Sequence, residues 1–238
     1  MANPYHRILI KISGEILRDV TRGGILNPKM LTLLSDELKE LHQEKIEVAL
    51  VIGGGNIFRG LAGQHQGIER IRGDHMGMLS TVINALAIEG ALRQNGLAAQ
   101  IQLAVEMPQI AELFRKDKAI RALQEGRILL FAGGTGSPLF STDTAAALRA
   151  VEIEAEVIFK ATKVDGVYDK DPLQYPDAVK YETIFFPEVM QKGLQIMDAA
   201  AFALCMENKM PVRVFDMQWG KRQILRAARG EPLGTLIQ

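Results

Sequence analysis

Cysteine is almost missing from this sequence: Cys205 is the only one. An internal disulfide is therefore excluded, as is a zinc cluster built on several thiolates. The run Ala203-Leu204-Cys205-Met206 reads as a buried helix face, with the thiol serving as a small core hydrophobe. An excess of either charge is missing too. Lys plus Arg and Asp plus Glu both number 28, so no net field advertises nucleic acid or an anionic membrane as partner. An anionic ligand must then be held by local groups. No apolar run approaches the ~18 residues of a membrane span, and Met1 to His6 lacks the apolar stretch of a signal peptide. The expectation is a soluble, cytoplasmic protein. Low-complexity tracts, internal repeats and obvious linkers are absent. A chain of 238 residues, 47% of them apolar, can bury a core without disulfides or structural metals. Its length suits one globular domain or two closely joined lobes.

What the sequence does have is a series of short apolar runs ending in glycine. Arg7 to Ile12 leads into Ser13-Gly14, Val48 to Ile52 into Gly53-Gly54-Gly55, and Arg127 to Phe131 into Gly133-Gly134-Thr135-Gly136. Ala98 to Val105, Val157 to Phe159 and Val212 to Phe215 complete the set. Runs without clean alternation fit strands buried on both faces of a parallel sheet. Helical stretches separate them. Asn27 reads as an N-cap with Pro28 at the first helical position. Asp74 reads as the cap of a second helix, and Met107 to Gln124, Thr142 to Ala155 and Met197 to Asn208 give three more. Such alternation predicts an α/β fold with a mostly parallel sheet. Arg18 to Leu26 and Leu61 to Gly73 read as polar, movable loops.

Ligands of such sheets bind beyond the carboxyl ends of the strands. Three glycine clusters fall at that edge, and glycine lets backbone N–H groups approach phosphate oxygens closely. One cluster would only make a turn; three together predict a phosphate site. No G-x-x-x-x-G-K-[ST] is present, which leaves a P-loop unsupported. Gly134-Thr135-Gly136 begins a dinucleotide fingerprint, but Leu139 stands where its third glycine belongs, so a Rossmann dehydrogenase is an alternative of a different class. Lys11 lies in an otherwise apolar strand, where an ammonium costs desolvation unless an anion meets it. It is either a lysine snorkelling from a strand end or the cation that phosphoryl transfer requires.

These residues resemble the amino-acid kinase superfamily, and specifically its bacterial uridylate kinases. The likeness is carried by Lys11-Ile12-Ser13-Gly14-Glu15, by Val51 to Gly60, by Gly73-Asp74-His75-Met76-Gly77-Met78 and by Gly133 to Asp143. Lys160 to Tyr168, Asp171-Pro172, Met197-Asp198 and Gly230 to Thr235 continue it, so that it spans nearly the whole chain. It implies an αβα three-layer sandwich around a mostly parallel sheet of about eight strands. It also implies a single domain, residues 1–238, with a UMP-binding lobe of about 1–150 and an ATP-binding lobe of about 151–238.

The resemblance implies transfer of the γ-phosphoryl group of ATP to UMP, in pyrimidine nucleotide biosynthesis. Lys11, Ile12, Ser13 and Gly14 are then expected at the ATP phosphates, with Gly55 and Arg59 on the same side. Gly54 is expected at the UMP phosphate and Asp74 at the UMP sugar hydroxyls. Thr135, Gly136, Ser137, Pro138, Leu139, Phe140, Ser141 and Thr142 are expected to wrap the base and phosphate. Asp143 is expected to aim the Lys11 ammonium, although a helix-N-terminal acid favoured by the dipole would look the same. Thr162, Tyr168 and Asp171 are expected around adenosine, with either Lys160 or Lys163 reaching a phosphate. Asp198 would orient Lys11 or attract Mg²⁺, which otherwise travels on ATP with few protein ligands. The family pattern Asn-Pro-Phe-Phe-Thr-Thr-Asp is replaced here by Ser137 to Asp143, so preference for uracil over cytosine rests on the changed positions. Inhibition by UTP, activation by GTP through Arg18 to Gly24 and a hexamer are further implications. The apolar excess of the helix starting near Asp74 fits a subunit contact or a deeply buried helix. Within the superfamily, acetylglutamate, carbamate and aspartate kinases are alternatives that lack the Gly-Asp-His-Met-Gly-Met stretch. A non-catalytic nucleotide sensor on the same fold is another.

Overall fold

The computed structural model describes residues 4–59, 67–162, 164–218 and 220–238. Lys163, Gly60 and residues 61–66 of the expected loop Leu61 to Gly73 thus lie outside the described residues. Strands β1 (Arg7–Ile12), β2 (Glu47–Ile52), β3 (Ala99–Leu103), β4 (Glu112–Leu113), β5 (Ile128–Ala132), β6 (Val157–Thr162), β7 (Thr183–Ile184), β8 (Val212–Asp216) and β9 (Thr235–Ile237) form one sheet. Its order is β4-β3-β5-β2-β1-β6-β8-β9-β7. Every pairing is parallel except β8 with β9, so β9 and β7 run against the other seven. Among the described residues the strands number nine, against the expected sheet of about eight. β4, β7 and β9 contain two or three residues each, too few to leave a pattern in sequence.

Alternation along the strands sorts the core into two layers. Ile8, Ile10 and Ile12 of β1 face helices α1 (Pro28–Gln43), α2 (Arg70–Gln94) and α7 (Gln223–Ala228), joining Leu34, Leu38, Ile88 and Leu92. Leu9 faces the opposite layer, α3 (Lys116–Gln124), α4 (Thr142–Glu152), α5 (Phe186–Gln191) and α6 (Ala199–Glu207). Each fully buried leucine contributes about 1.5–3 kcal/mol relative to exposure. The same alternation decides where Lys11 points. It shares the parity of Leu9, so its side chain rises on the α4 face. In β6, Ile158 and Lys160 have that parity too, while Phe159 and Ala161 belong to the other layer.

α1 starts as expected: the Asn27 side chain accepts from the Lys29 N–H at 3.0 Å, with Pro28 at the first position. α2 starts earlier than expected. Asp74 sits in its second turn rather than at its cap, and Glu69 occupies the cap position without a side-chain capping hydrogen bond. Arg70 to Gly73, expected in a loop, are the first turn of this helix. Met107 to Gln124 is not one helix. Met107 and Ala111 bridge in a turn, β4 follows, and the helix begins only at Lys116. Pro108, which supplies no N–H, breaks the stretch near its start. Arg18 to Leu26 folds back through a bridge between Asp19 and Gly24. Cys205 is fully buried on α6, and burial pushes its thiol up to about 12.

Candidate active site

β1 and β6 are neighbours at the centre of the sheet, and Lys11 stands opposite Lys160 in their register. Two ammonium groups on one face of adjacent strands repel unless an anion stands between them. Asp143, in the first turn of α4, supplies it: its two carboxylate oxygens take one lysine each, both at 2.6 Å. All three side chains are nearly buried, with 14% or less of their surface exposed. Burial pushes the Asp143 carboxyl up, but the charges of Lys11 and then Lys160 outweigh it, and its pKa lies below the ordinary value. Lys160 is shifted down by burial despite the attraction of Asp143, and the Lys11 charge adds to the shift. Lys160 also donates to the Ile196 carbonyl at 2.6 Å.

Asp143 is held by a short chain of hydroxyls. Ser141 caps α4 by accepting from the Asp143 N–H at 2.9 Å, and its own hydroxyl donates to Asp198. Thr144 donates to Asp198 at 2.9 Å. Asp198 in turn caps α6 through the Ala201 N–H at 3.0 Å. Burial raises the Asp198 carboxyl, and the bonds from Ser141, Ala201 and Thr144 more than reverse that. The bonded partners of Asp198 are thus the ends of α4 and α6, whereas the partner of Lys11 is Asp143.

Two pockets open on either side of this cluster. The smaller, of about 170 Å³, is lined by Gly54, Asp74, Ser137, Phe140, Ser141 and Thr142 among others. Gly54 permits its wall, because a Cβ there would stand 2.7 Å from both the Gly77 carbonyl oxygen and the Ser80 Cβ. Asp74 accepts from the Leu139 N–H at 2.9 Å and from Arg70 at 3.0 Å, tying α2 to the loop after β5. Leu139 is left-handed at φ 73°, a conformation that costs a branched residue energy and that the Asp74 bond helps hold. Thr135 turns inward on its own loop, accepting from the Ser137 N–H at 3.2 Å. The larger pocket, of about 500 Å³, is lined by Lys160, Thr162, Tyr168 and Asp171 with Ile196 and Val214. The Tyr168 hydroxyl donates to Asp165 at 2.6 Å, and Asp171 closes a turn by accepting from the Leu173 N–H at 2.9 Å. Thr142 borders one pocket and Lys160 the other, so the Lys11–Asp143–Lys160 cluster lies between them.

The sequence-derived candidates therefore assemble at one edge. Lys11 and Asp143 touch, Gly54 and Asp74 share a pocket with Ser137 and Phe140 to Thr142, and Thr162, Tyr168 and Asp171 share the other. Ile12 is the exception in kind: its side chain is buried in the α1/α2 layer, and it offers the site only its backbone. Arg59, half exposed, is ion-paired with Glu15. Gly55 lies against that pair, since a Cβ there would meet the Arg59 Nε at 3.6 Å. Sequence reasoning left Lys160 undecided against Lys163. A second lysine at the Lys11 parity of a buried strand is the signal that could have placed Lys160 beside Asp143, whereas Lys163 lies outside the described residues. Thr144 and Glu15 went unrecognised, because nothing in a linear reading places them beside Asp198 and Arg59.

The Amino acid kinase family profile matches residues 6–216 of the chain. A protein named uridylate kinase from Xanthomonas euvesicatoria pv. vesicatoria is 49% identical over 234 residues, covering 98% of this chain and 97% of its own length. The crystal structure of UMP kinase from Bacillus anthracis superposes with a TM-score of 0.94 at 35% identity, over 99% of this chain and 96% of that one. That of UMP kinase from Ureaplasma parvum gives 0.92 at 33% identity, over 98% and 99%. With this likeness along its whole length and the lysine–aspartate–lysine cluster at its sheet edge, the chain belongs to the amino acid kinase family, and within it to the uridylate kinases.

Proposed function

We propose that the protein transfers the γ-phosphoryl group of ATP to UMP, giving ADP and UDP. The observation that carries this reading is the paired lysines on one aspartate between a smaller and a larger pocket. Adenosine occupies the larger one near Tyr168, Thr162 and Asp171, in the lobe after residue 150. UMP occupies the smaller one, with its phosphate at Gly54, its sugar at Asp74 and its base along Thr135 to Thr142. Lys11 and Lys160 then face the group in flight from the ATP side. Their charge stabilises the negative oxygens of the transition state, where positioning and electrostatics supply most of the acceleration. Asp143 keeps the two ammonium groups fixed and charged. Ser13, Gly14 and Gly55 offer backbone N–H groups to the donor phosphates, and Arg59 reaches them by exchanging Glu15 for a phosphate oxygen. The acceptor is already anionic, so the reaction needs no strong general base.

Mg²⁺ is proposed to enter on ATP. Among the described residues no three His, Cys, Asp or Glu side chains cluster as a metal site. Phosphate oxygens and water would hold the ion, as Mg²⁺ prefers, and it would neutralise phosphate charge. A place in pyrimidine nucleotide synthesis, a cytoplasmic setting, inhibition by UTP and activation by GTP belong to the same reading. So does self-association, as a hexamer, through α2. The outer face of that helix exposes Met76, Leu79, Ile83 and Leu86, spaced to form one apolar stripe. Among the described residues no helix is long and apolar enough to cross a membrane.

The test is an ADP-release assay with ATP and Mg²⁺, offering UMP, CMP, dTMP and acetylglutamate in turn. Turnover is expected with UMP, with Lys11→Ala at least ~10³-fold slower. Binding of UMP without turnover would move the reading to a nucleotide sensor, and turnover with acetylglutamate would overturn the acceptor.

A further inference from the structure

Two side-chain amides lie buried beneath the glycine loops, where the proposed chemistry does not use them. Asn84 of α2 has none of its surface exposed, and Asn56, just after Gly53-Gly54-Gly55, has 6%. They exchange hydrogen bonds: Asn56 donates to the Asn84 Oδ1 at 2.9 Å, and Asn84 donates to the Asn56 Oδ1 at 2.7 Å. The second N–H of each goes to a backbone carbonyl, from Asn84 to Gly53 at 2.8 Å and from Asn56 to Ile25 at 2.7 Å. All four donors are satisfied in a dry place, where losing one partner leaves the others unpaired at full cost.

The pair meets the first glycine loop as well. A Cβ on Gly14 would stand 2.2 Å from the Gly53 oxygen and 2.6 Å from the Asn56 Oδ1. Only glycine fits there, and the β1 loop, the β2 loop and the amides are locked face to face. The same side of α2 holds the remaining glycine cluster, because Thr81 accepts from the Gly133 N–H at 2.8 Å. One helix face thus registers both glycine-rich strand ends that border the smaller pocket, and the amide pair extends the contact to the segment 18–26.

We propose that Asn84, acting with Asn56, is a positioning residue for phosphoryl transfer: the amide pair fixes the Gly53–Gly55 backbone for the acceptor phosphate and makes its placement depend on the segment 18–26. The inference rests on the assignment of Gly54 to the acceptor phosphate. Neither amide touches substrate, so the effect falls on binding geometry rather than on the charge of the site.

The test compares Asn84→Ala with the double variant Asn56→Leu/Asn84→Leu, measuring KM for UMP, KM for ATP, kcat and Tm. Asn84→Ala is expected to raise KM for UMP about tenfold, with a smaller change in kcat, because loops that bind the ground state have moved. The double variant removes both amides together and is expected to regain much of the lost Tm. It still lacks the donor to Gly53, so the raised KM persists. A KM that returns to the parent value along with Tm would reduce the pair to packing and overturn the proposal. Amide hydrogen exchange on the unmodified chain gives an answer whether or not the variants fold. Saturating UMP is expected to slow exchange in 53–56 and 18–26 together, and slowing confined to 53–56 overturns the coupling. Failure of the underlying assignment of Gly54 reads differently, as saturating UMP that slows exchange in neither 53–56 nor 18–26.

Discussion

Asp143 and Glu37 are both carboxylates sunk into the protein, and they behave in opposite ways. Asp143, at the carboxyl edge of the sheet, sits between two ammonium groups and stays ionised below the ordinary carboxylate range. Glu37, on the opposite side of the sheet where α1 packs against α7, is 4% exposed. Among the described residues its one hydrogen-bond partner is the Ile224 N–H, at 3.3 Å. Burial pushes its carboxyl up to about 7; that N–H and the charge of Arg222 offset this in part, and the neighbouring Glu40 adds to it. Burial is common to both, and the partners decide the sign. The region with matched charges is the one the proposed reaction would use, whereas the unmatched acid is a cost borne inside the scaffold.

The largest effect should come from breaking the matched side. Asp143→Ala leaves two ammonium groups side by side with no anion. A loss of about 3–5 kcal/mol in stability is expected, together with a fall in turnover of at least ~10³-fold. Denaturant midpoints and ADP release measure the two, and a variant as stable as the parent would show that the lysines do not need their counter-charge. The unmatched side should answer in the other direction. Glu37 binds its proton more tightly folded than unfolded, so it favours the native state below pH 4.5 and loses that advantage as pH rises to about 7. The change amounts to as much as roughly 3 kcal/mol. Glu37→Gln is expected to flatten the pH dependence of Tm between 5 and 8 and to be the more stable protein at pH 8; parallel pH profiles would refute this. For Asp143 the sign is reversed: its contribution is full above the unfolded value of 3.8 and is lost as pH falls through its lower folded pKa.

Asp198→Ala probes the support behind the matched side. It removes the cap of α6 and the acceptor for Ser141 and Thr144, at about 1–2 kcal/mol. Turnover should fall well short of the loss for Asp143→Ala, and an equal loss would place Asp198 in the chemistry itself. An exposed pair sets the floor. Lys118 and Glu112 meet at 2.9 Å with about half of each side chain in water, and Lys118→Ala is expected to change stability by less than ~0.5 kcal/mol in a thermal melt.

The matched side was also the legible side. Lys11 was conspicuous as a lysine inside an apolar strand, and glycine after three strands marked the edge where phosphate would bind. Asp143 followed from the segment that opens α4. The unmatched acid left no such mark, because Glu37 among Leu34, Leu38 and Leu41 reads as an ordinary polar position of an amphipathic helix. Asp74 misled for a related reason. An acid before an apolar run resembles a cap, but its carboxylate is spent on Arg70 and on the distant Leu139 N–H. A helix from Met107 to Gln124 would have to run through Pro108 and across a two-residue strand, which no periodicity can register.

By itself the sequence determined the alternation of strand and helix, the parallel sheet, the glycine-rich edge and the family, because these rest on local patterns and contiguous motifs. Tertiary structure alone decided that Lys160 stands opposite Lys11, that one aspartate serves both, and that Asn84 reaches Gly53 across 31 positions. Strand register and helix docking set those contacts, and neither is encoded within any single stretch of chain. The same holds for charge. A carboxylate's ionisation depends on what folding brings within a few ångströms of it, so Asp143 and Glu37 acquire their opposite characters only when the layers close.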